Sequence, residues 1–352
     1  DVLKAKLDDA GVTLVELRDT FGADGSGPPA EALNANPSLP IELKLRAAAP
    51  NCAALRSGKF RVVFFAPGES GRVFTDTMTV DAPSLKATLA DGEVSSLAVT
   101  GACQYNVASG GELVVSPAGI GVFRSNERPG YVAGIAIPVQ QHPVSALAGT
   151  WNYIGLDQGL FGGEITVDAS GRATASLGCD ISGTCVSEIP DARETFVVNA
   201  AGGFDYDAGR AFAYRSGGGE LMVVFLSADG SFALATRKAP RTLPAIGVVN
   251  RSLNLTVTPQ YTSPDLLSSS ENTPVLHAGD GGSFVRNAVI DFVTGATRPE
   301  TVQINTPREG FIRRVPQTVT TSTGGSSVVG EWVALTLRGT GITPVGIVSN
   351  DR

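Results

Sequence analysis

Residues that could act as catalysts are few in this sequence, and their spacing matches none of the common catalytic motifs. A general base of the usual kind could come only from His142 or His277, and both stand beside loop residues. The stretch Gly68-Glu69-Ser70-Gly71 lacks the spacing of a G-x-S-x-G nucleophile elbow and predicts a turn. We therefore expect a non-enzymatic protein without catalytic residues or a cofactor. Because two distant acids can meet on folding, a carbohydrate-active hydrolase stays as the third hypothesis.

Candidate metal ligands are also sparse. The stretch Asp205-x-Asp207-x-Gly209 places oxygen ligands at alternate positions, as calcium loops do, but the bidentate Glu that should follow is missing. A hairpin turn explains this stretch better. The sequence has no H-E-x-x-H motif, Walker loop or dinucleotide fingerprint. We expect no metal site.

The four cysteines fall into two local pairs, Cys52 with Cys103 and Cys179 with Cys185. Zinc is the rival interpretation, but no C-x-x-C occurs and neither histidine lies near a cysteine. Pairing neighbours keeps each bridge inside one proposed module. The sequence therefore predicts two disulfides and an oxidising compartment, so we expect an extracellular, cell-surface or periplasmic protein.

Composition limits the class of protein and its partners. The 352 residues suffice for two or three domains, and an apolar content of 42% with 17% charged residues is typical of globular chains. A net charge of −7 argues against nucleic acid and anionic membranes as partners. No apolar stretch approaches the roughly 20 residues that cross a bilayer. The start at Asp1 shows no signal-peptide pattern, so a leader or lipid anchor ahead of it stays open.

The 42 glycines and 21 prolines favour short strands joined by tight turns, and alternating apolar residues begin near residue 58. We predict an all-β protein of tandem small antiparallel barrels or sandwiches. The predicted parts are an N-terminal segment with a Pro/Gly-rich linker (1–50), module one (51–147), module two (148–240) and module three (241–352). Module two has about eight strands, the number of a small closed barrel.

A glycine two residues before an aromatic recurs three times, at Gly58-Lys-Phe60, Gly149-Thr-Trp151 and Gly330-Glu-Trp332. The first two glycines lie 91 residues apart, and the third follows the second by 181. This spacing indicates a repeated module that opens with a glycine bend and an aromatic core anchor. The third motif lies near the end of its portion. That portion is therefore either a differently ordered domain or the source of a closing strand for module two.

The stretch Leu147-Ala-Gly149-Thr-Trp151 resembles the G-x-W opening of lipocalins and of shorter relatives such as avidin and bacterial protease-inhibitor barrels. The resemblance covers residues 148–238. It implies that Trp151 closes the base of a barrel and that a basic residue after the last strand packs over the ring. Arg237 stands in that place, and cation–π stacking gives the pairing a physical reason. Module one departs from this pattern, because Phe60 replaces the Trp and no basic residue follows its last strand.

Aromatic residues in module two alternate along their strands. Strand alternation places Trp151 and Tyr153 on one face, and it pairs Phe212 with Tyr214 in the same way. In a barrel these four rings would line an interior suited to an apolar or planar ligand. The alternative is that they fill a solid core.

The leading hypothesis is an exported, non-enzymatic binding protein of a bacterial envelope or secretome, whose partner is a small apolar ligand or a protein. The alternative is a structural or adhesive subunit of a surface filament or appendage. Repeated β-modules suit strand addition between subunits, with residues 1–22 as the segment that would mediate self-assembly.

Overall fold

A computed structural model confirms the predicted all-β fold: nearly all its elements are short strands, in three successive units that we name barrel one, barrel two and barrel three. None of the helices in the described part of the chain is long and apolar enough to span a membrane. The structure describes residues 39–66, 72–108, 110–125, 132–156, 160–179, 184–188, 195–207, 209–228, 230–247, 249–256, 273–279, 281–291, 296–315, 317–320, 326–329, 332–335 and 342–348.

The described chain begins with a packed segment rather than a linker. It contains one helical turn, α1 (Ile41–Lys44), and two short paired strands, β1 (Ala48–Ala49) and β2 (Cys52–Arg56). Leu43 within this turn and Leu39 just before it are almost fully buried, and both belong to one apolar cluster. Residues 39–50 of the predicted N-terminal segment and linker (1–50) thus include a helical turn and a strand, and the rest of it, with the self-assembly segment 1–22, lies outside the described residues.

Barrel one is closed by eight antiparallel strands in the order β10-β3-β4-β5-β6-β7-β8-β9. Phe60 and Val62 of its first strand face the core, whereas Val63 faces outward. The disulfide Cys52–Cys103 ties β2 to the turn after the fourth strand. The strands are β3 (Gly58–Ala66), β4 (Arg72–Asp81), β5 (Lys86–Leu89), β6 (Val94–Gly101), β7 (Gln104–Val107), β8 (Gly111–Val115), β9 (Gly121–Ser125) and β10 (Val132–Pro138).

Barrel two is a nine-stranded antiparallel sheet in the order β14-β13-β12-β11-β19-β18-β17-β16-β15. One isolated bridge, Arg172 to Thr195, joins its two sides. The second disulfide, Cys179–Cys185, links neighbouring strands near one edge. The strands are β11 (Gly149–Leu156), β12 (Leu160–Val167), β13 (Ala173–Cys179), β14 (Cys185–Glu188), β15 (Val197–Val198), β16 (Phe204–Tyr206), β17 (Gly209–Arg215), β18 (Leu221–Ser227) and β19 (Phe232–Arg237).

The opening glycines of barrels one and two are equivalent in structure. Gly58 has φ 139° and Gly149 has φ 130°, a region that L side chains rarely adopt. In each barrel an arginine guanidinium lies where a Cβ would project: Arg46 beside Gly58 and Arg237 beside Gly149. Arg46 belongs to the segment before barrel one, whereas Arg237 ends the last strand of barrel two.

The two barrels also share one strand pairing. The first strand pairs with the last, so that Phe60 lies opposite Pro138 and Trp151 lies opposite Arg237. The hairpins 116–120 and 216–220 then occupy equivalent positions, and each has the same pair of backbone hydrogen bonds. The Gly-x-aromatic repeat therefore corresponds to a repeated structure in barrels one and two.

Barrel three closes on itself in the order β20-β21-β22-β23-β24-β27-β28, with β20 and β28 parallel. The strand that begins at Trp332 belongs to this barrel, so it adds no strand to barrel two; the Trp332 side chain lies outside the described part. The strands are β20 (Val249–Thr256), β21 (Thr273–Gly279), β22 (Ser283–Asp291), β23 (Ala296–Ile304), β24 (Phe311–Arg314), β27 (Trp332–Leu335) and β28 (Ile342–Val348), with a separate hairpin of β25 (Gln317–Thr320) and β26 (Ser326–Val329).

Barrel three contacts barrel two through the loop of residues 305–310. The Asn305 side chain accepts a hydrogen bond from the Arg241 backbone N–H (2.7 Å) and donates one to the Arg241 carbonyl (3.0 Å). Asn152 on the outer face of β11 donates to the carbonyl of Glu309 (2.7 Å). These backbone contacts hold the loop against the outer face of barrel two.

Candidate ligand-binding crevice between barrels one and two

The outer faces of barrels one and two form one apolar cluster, which we call the joint. It exists because the last strands of barrel two are apolar on both faces: Ala211 and Ala213 of β17 face their own core, while Phe212 and Tyr214 face barrel one. The joint consists of Leu39, Leu43, Val63, Val114, Ala118, Ile120, Val122, Ile135, Ile137, Phe212, Tyr214, Met222, Val224, Leu226, Phe232 and Leu234.

The structure separates the four aromatic residues predicted to bind a ligand. Trp151, which is 1% exposed, and Tyr153 lie with the core of barrel two. Phe212 and Tyr214 lie in the joint, on the opposite side of the barrel wall. The four rings therefore do not line a single cavity, because strand alternation fixes which rings share a face within a strand but not which face is the interior.

The core of barrel two is packed with side chains. Phe196 lies 5.0 Å from Tyr206 and 5.9 Å from Phe225, measured between ring centroids, and Phe225 meets Tyr206 edge-on at 6.1 Å. Tyr153 packs against the same core. This arrangement agrees with the solid-core alternative for the aromatic residues of module two.

Trp151 and Arg237 are in contact, as the G-x-W pattern predicted. The Arg237 guanidinium carbon lies 4.4 Å from the centroid of the Trp151 ring, and the indole N–H donates to the Leu147 carbonyl (2.7 Å). Arg237 also donates to the carbonyls of Ala146 (2.7 Å) and Ala148. Burial is the main cause that lowers the pKa of Arg237. The pair lies where the first and last strands of barrel two meet and has a structural role.

A crevice opens at one side of the joint, beside Arg61 of β3. Its enclosed part has room for about one water-sized group. The side chains around it are mainly apolar, although about half of its exposed wall is polar. They include Ile137, Val139 and Phe212, with Gln140 and the turn glycine Gly202.

Arg61 is the charged group of this crevice. Only 9% of the residue is exposed, and its guanidinium lies 4.4 Å from the centroid of the Phe212 ring. Its Nη2 donates to the Ala201 carbonyl (3.1 Å), but its Nε is buried without a hydrogen-bond partner. Burial, followed by the charge of Arg210, lowers its pKa, and Asp76 acts in the opposite direction. Among the described residues no carboxylate comes within 4 Å of this guanidinium.

Gln140 holds the two barrels together next to the crevice. Its side-chain oxygen accepts a hydrogen bond from the Arg215 backbone N–H (2.6 Å), and its nitrogen donates to the Arg215 carbonyl (3.2 Å) and to Glu42. His142 contacts the same Gln140 oxygen through Nε2 (3.0 Å). Burial, with a smaller effect of Arg215, lowers the pKa of His142 to about 4. His142 is therefore neutral at physiological pH and has a structural contact.

The remaining predicted residues are placed as follows. Both predicted disulfides are present, and all four cysteines are bridged. Asp205 and Asp207 flank Tyr206 in the β16–β17 hairpin, where Asp205 meets Arg210 at 3.6 Å. In the part of the chain that is described, no three His, Cys, Asp or Glu side chains are grouped to hold a metal. The 68–71 turn and the His277 side chain lie outside it.

Sequence reasoning missed Arg61 and the joint. A signal was present in β18, since Leu221-Met-Val-Val-Phe-Leu226 is apolar without alternation, as is typical of a strand buried on both faces. The alternation of small and large residues in Ala211-Phe-Ala-Tyr214 was a second signal. Nothing local in Arg61-Val-Val-Phe indicates that its cation would lie against a ring 151 positions away.

The comparisons give no relative: no protein-family model, curated protein or solved structure matches this chain.

Proposed function

We propose that this chain is an exported, non-enzymatic binding protein of a bacterial envelope or secretome, and that its ligand site is the crevice at the joint. The observation that carries this proposal is the buried Arg61, whose Nε has no partner and points to a group supplied from outside. The packed core of barrel two favours a site between barrels over one inside a barrel.

Export is supported by the two disulfides. Cys52–Cys103 closes a loop of 51 residues and Cys179–Cys185 a loop of 6. Reduced cytosol disfavours such bridges, whereas the periplasm and the extracellular space maintain them.

The non-enzymatic assignment is supported by how the buried titratable groups are used. Glu300 bonds Arg286 at 2.6 Å, with the two side chains 2% and 5% exposed, and Glu164 bonds Lys238 at 2.8 Å. His142 is neutral and bonded to a side chain of the joint. These groups are occupied by structural contacts, as ion pairs that stabilise barrel walls and junctions usually are.

The test is a ligand screen on the ¹⁵N-labelled full chain by two-dimensional NMR, using small polar and apolar compounds. We expect shifts centred on Ile137, Val139 and Gly202. Val139→Phe, which adds a ring to the crevice wall, should abolish them. Val94→Phe is the matched control, because Val94 is 56% exposed and lies on β6, three strands away from β3 in the wall of barrel one. Shifts that are absent, or that survive Val139→Phe, would remove the crevice as the binding site.

A second candidate function, strand-mediated assembly, is favoured by the two edges of barrel two. Strands β14 and β15 each pair with only one neighbour in the described sheet. Val186 and Val198 lie on these edges and are 67% and 51% exposed. Unpaired edges with exposed apolar side chains are suited to adding a strand from another copy.

Size-exclusion chromatography and negative-stain microscopy test this second candidate. Assembly predicts concentration-dependent fibres that are lost on deleting residues 1–22 or on Val186→Lys. Val94→Lys is the control, because Val94 is 56% exposed on a strand that pairs on both sides. A monodisperse monomer at high concentration would exclude the filament role.

A further inference from the structure

We infer that the crevice recognises a carboxylate group, and that Arg61 is the residue that binds it. The inference rests on the proposed function, because it names the ligand class of the same site. The carboxylate would come from a small organic acid or from the terminus of a peptide, and the experiment below separates these two sources.

The first step of the argument is charge. The Arg61 guanidinium lies at the crevice wall, where its described hydrogen-bond and stacking partners are the Ala201 carbonyl and the Phe212 ring. A buried cation without an ion partner is costly, and an anion that enters the site removes part of that cost. Arg210 adds positive potential, and Asp76 acts on Arg61 without forming an ion pair within 4 Å.

The second step is hydrogen bonding. The Nε–H of Arg61 is buried and unused, and Nη2 uses one of its hydrogens on Ala201. The planar guanidinium fork matches the two oxygens of a carboxylate, so Arg61 at the crevice wall gives directional donors in addition to the charge. The side chains of Ile137 and Val139 beside it carry no further hydrogen-bond donor.

The third step is size. The enclosed part of the crevice has room for about one water-sized group, which admits a carboxylate oxygen but not the body of a ligand. The body must therefore stay in the mouth, against Val139 and Phe212. A short aliphatic acid, or a peptide ending in an aliphatic residue, has this shape and chemistry.

The experiment follows the Arg61 Nε–H resonance of the full chain by NMR during titration. The probes are butyrate against butyramide, and an N-acetylated tetrapeptide ending in valine with a free or an amidated C-terminus. We expect butyrate or the free-acid peptide to shift the Arg61 signal, and the neutral analogues to bind at least about tenfold more weakly. Which of the two acids binds more tightly identifies the source.

The outcomes distinguish the inference from the function on which it rests. If acids and amides bind the crevice equally, the carboxylate assignment is wrong and the binding site stands. If neither the acids nor the amides bind but other compounds in the screen do, the carboxylate assignment is wrong and the binding site stands. If nothing shifts the crevice resonances, both are overturned.

Variants give a second readout. Arg61→Gln should weaken acid binding by at least about tenfold, and Arg61→Lys, which keeps the charge but loses the fork, should fall between. Arg172→Gln, which removes an exposed cation from a turn of barrel two, should leave affinity unchanged. Should Arg61→Gln fail to fold, the acid–amide comparison on the unaltered chain still decides the assignment. Equal affinity of Arg61→Gln and the parent would contradict it.

Discussion

At the residue scale, this molecule uses its cations mainly as stacking and hydrogen-bonding groups. Arg237 covers the Trp151 ring and Arg61 covers Phe212, each with the guanidinium carbon 4.4 Å from the ring centroid. Arg237 donates hydrogen bonds to backbone carbonyls, whereas the Nε–H of Arg61 has no hydrogen-bond partner. Arg237 therefore has a structural role, and the proposed ligand site rests on Arg61.

His142 makes the stability of the fold depend on pH. Its folded pKa of about 4 lies below its ordinary value of 6.5, so between these values the unfolded chain binds a proton that the folded chain does not. Stability should therefore fall as the pH drops from about 6.5 towards 4, by up to about 3 kcal/mol from this residue. Urea unfolding at several pH values measures it. His142→Gln should flatten this part of the profile, and an unchanged slope would contradict the assignment.

At the scale of elements, the opening positions of β3 and β11 require glycine, because each has a positive φ and an arginine occupies the space of a Cβ. Gly58→Ala should cost about 1–3 kcal/mol, since it combines a strained positive φ with displacement of Arg46. Gly149→Ala should displace Arg237 in the same way and change the fluorescence of Trp151. Urea unfolding measures both costs. Gly92→Ala is the control, because its φ is 90° but a Cβ there meets no atom within 4 Å. Equal costs at all three positions would show that the arginine contact adds nothing.

The elements were largely predictable, and their arrangement was not. Alternation and turn glycines locate the hairpins because they depend on neighbouring residues, as in the 216–220 turn with Gly219 at φ 81°. The Trp151–Arg237 contact was predictable from a motif that spans one module. The joint was not, because placing Phe212 against barrel one requires knowing which two outer faces meet.

At the scale of the whole molecule, the segment of residues 39–56 before barrel one packs into the joint between the two barrels. Leu39 and Leu43 are 0% and 2% exposed and belong to the same cluster as the outer faces of both barrels. Gln140 adds a polar contact between the barrels, because its side chain forms two hydrogen bonds with the backbone of Arg215. The relative position of barrels one and two is therefore fixed by packing and by hydrogen bonds.

Truncating Leu43 should weaken the packing between barrels one and two. Leu43→Ala should destabilise the chain by about 2–5 kcal/mol, because it leaves a cavity between two barrel walls. Ile41→Ala, on the same turn but 46% exposed, should change stability by only about 0.5 kcal/mol. Chemical unfolding measures both, and limited proteolysis should cut Leu43→Ala more rapidly between the barrels. Equal effects of the two substitutions would show that Leu43 does not hold the joint.

The joint is formed largely by equivalent strands of the two barrels. Barrel one contributes its last three strands, β8, β9 and β10, and barrel two contributes the strands in the same positions, β17, β18 and β19. Like surfaces facing each other are the mark of a symmetric homodimer, in which one patch is self-complementary. Fusion of two tandem gene copies would convert such a dimer into one polypeptide.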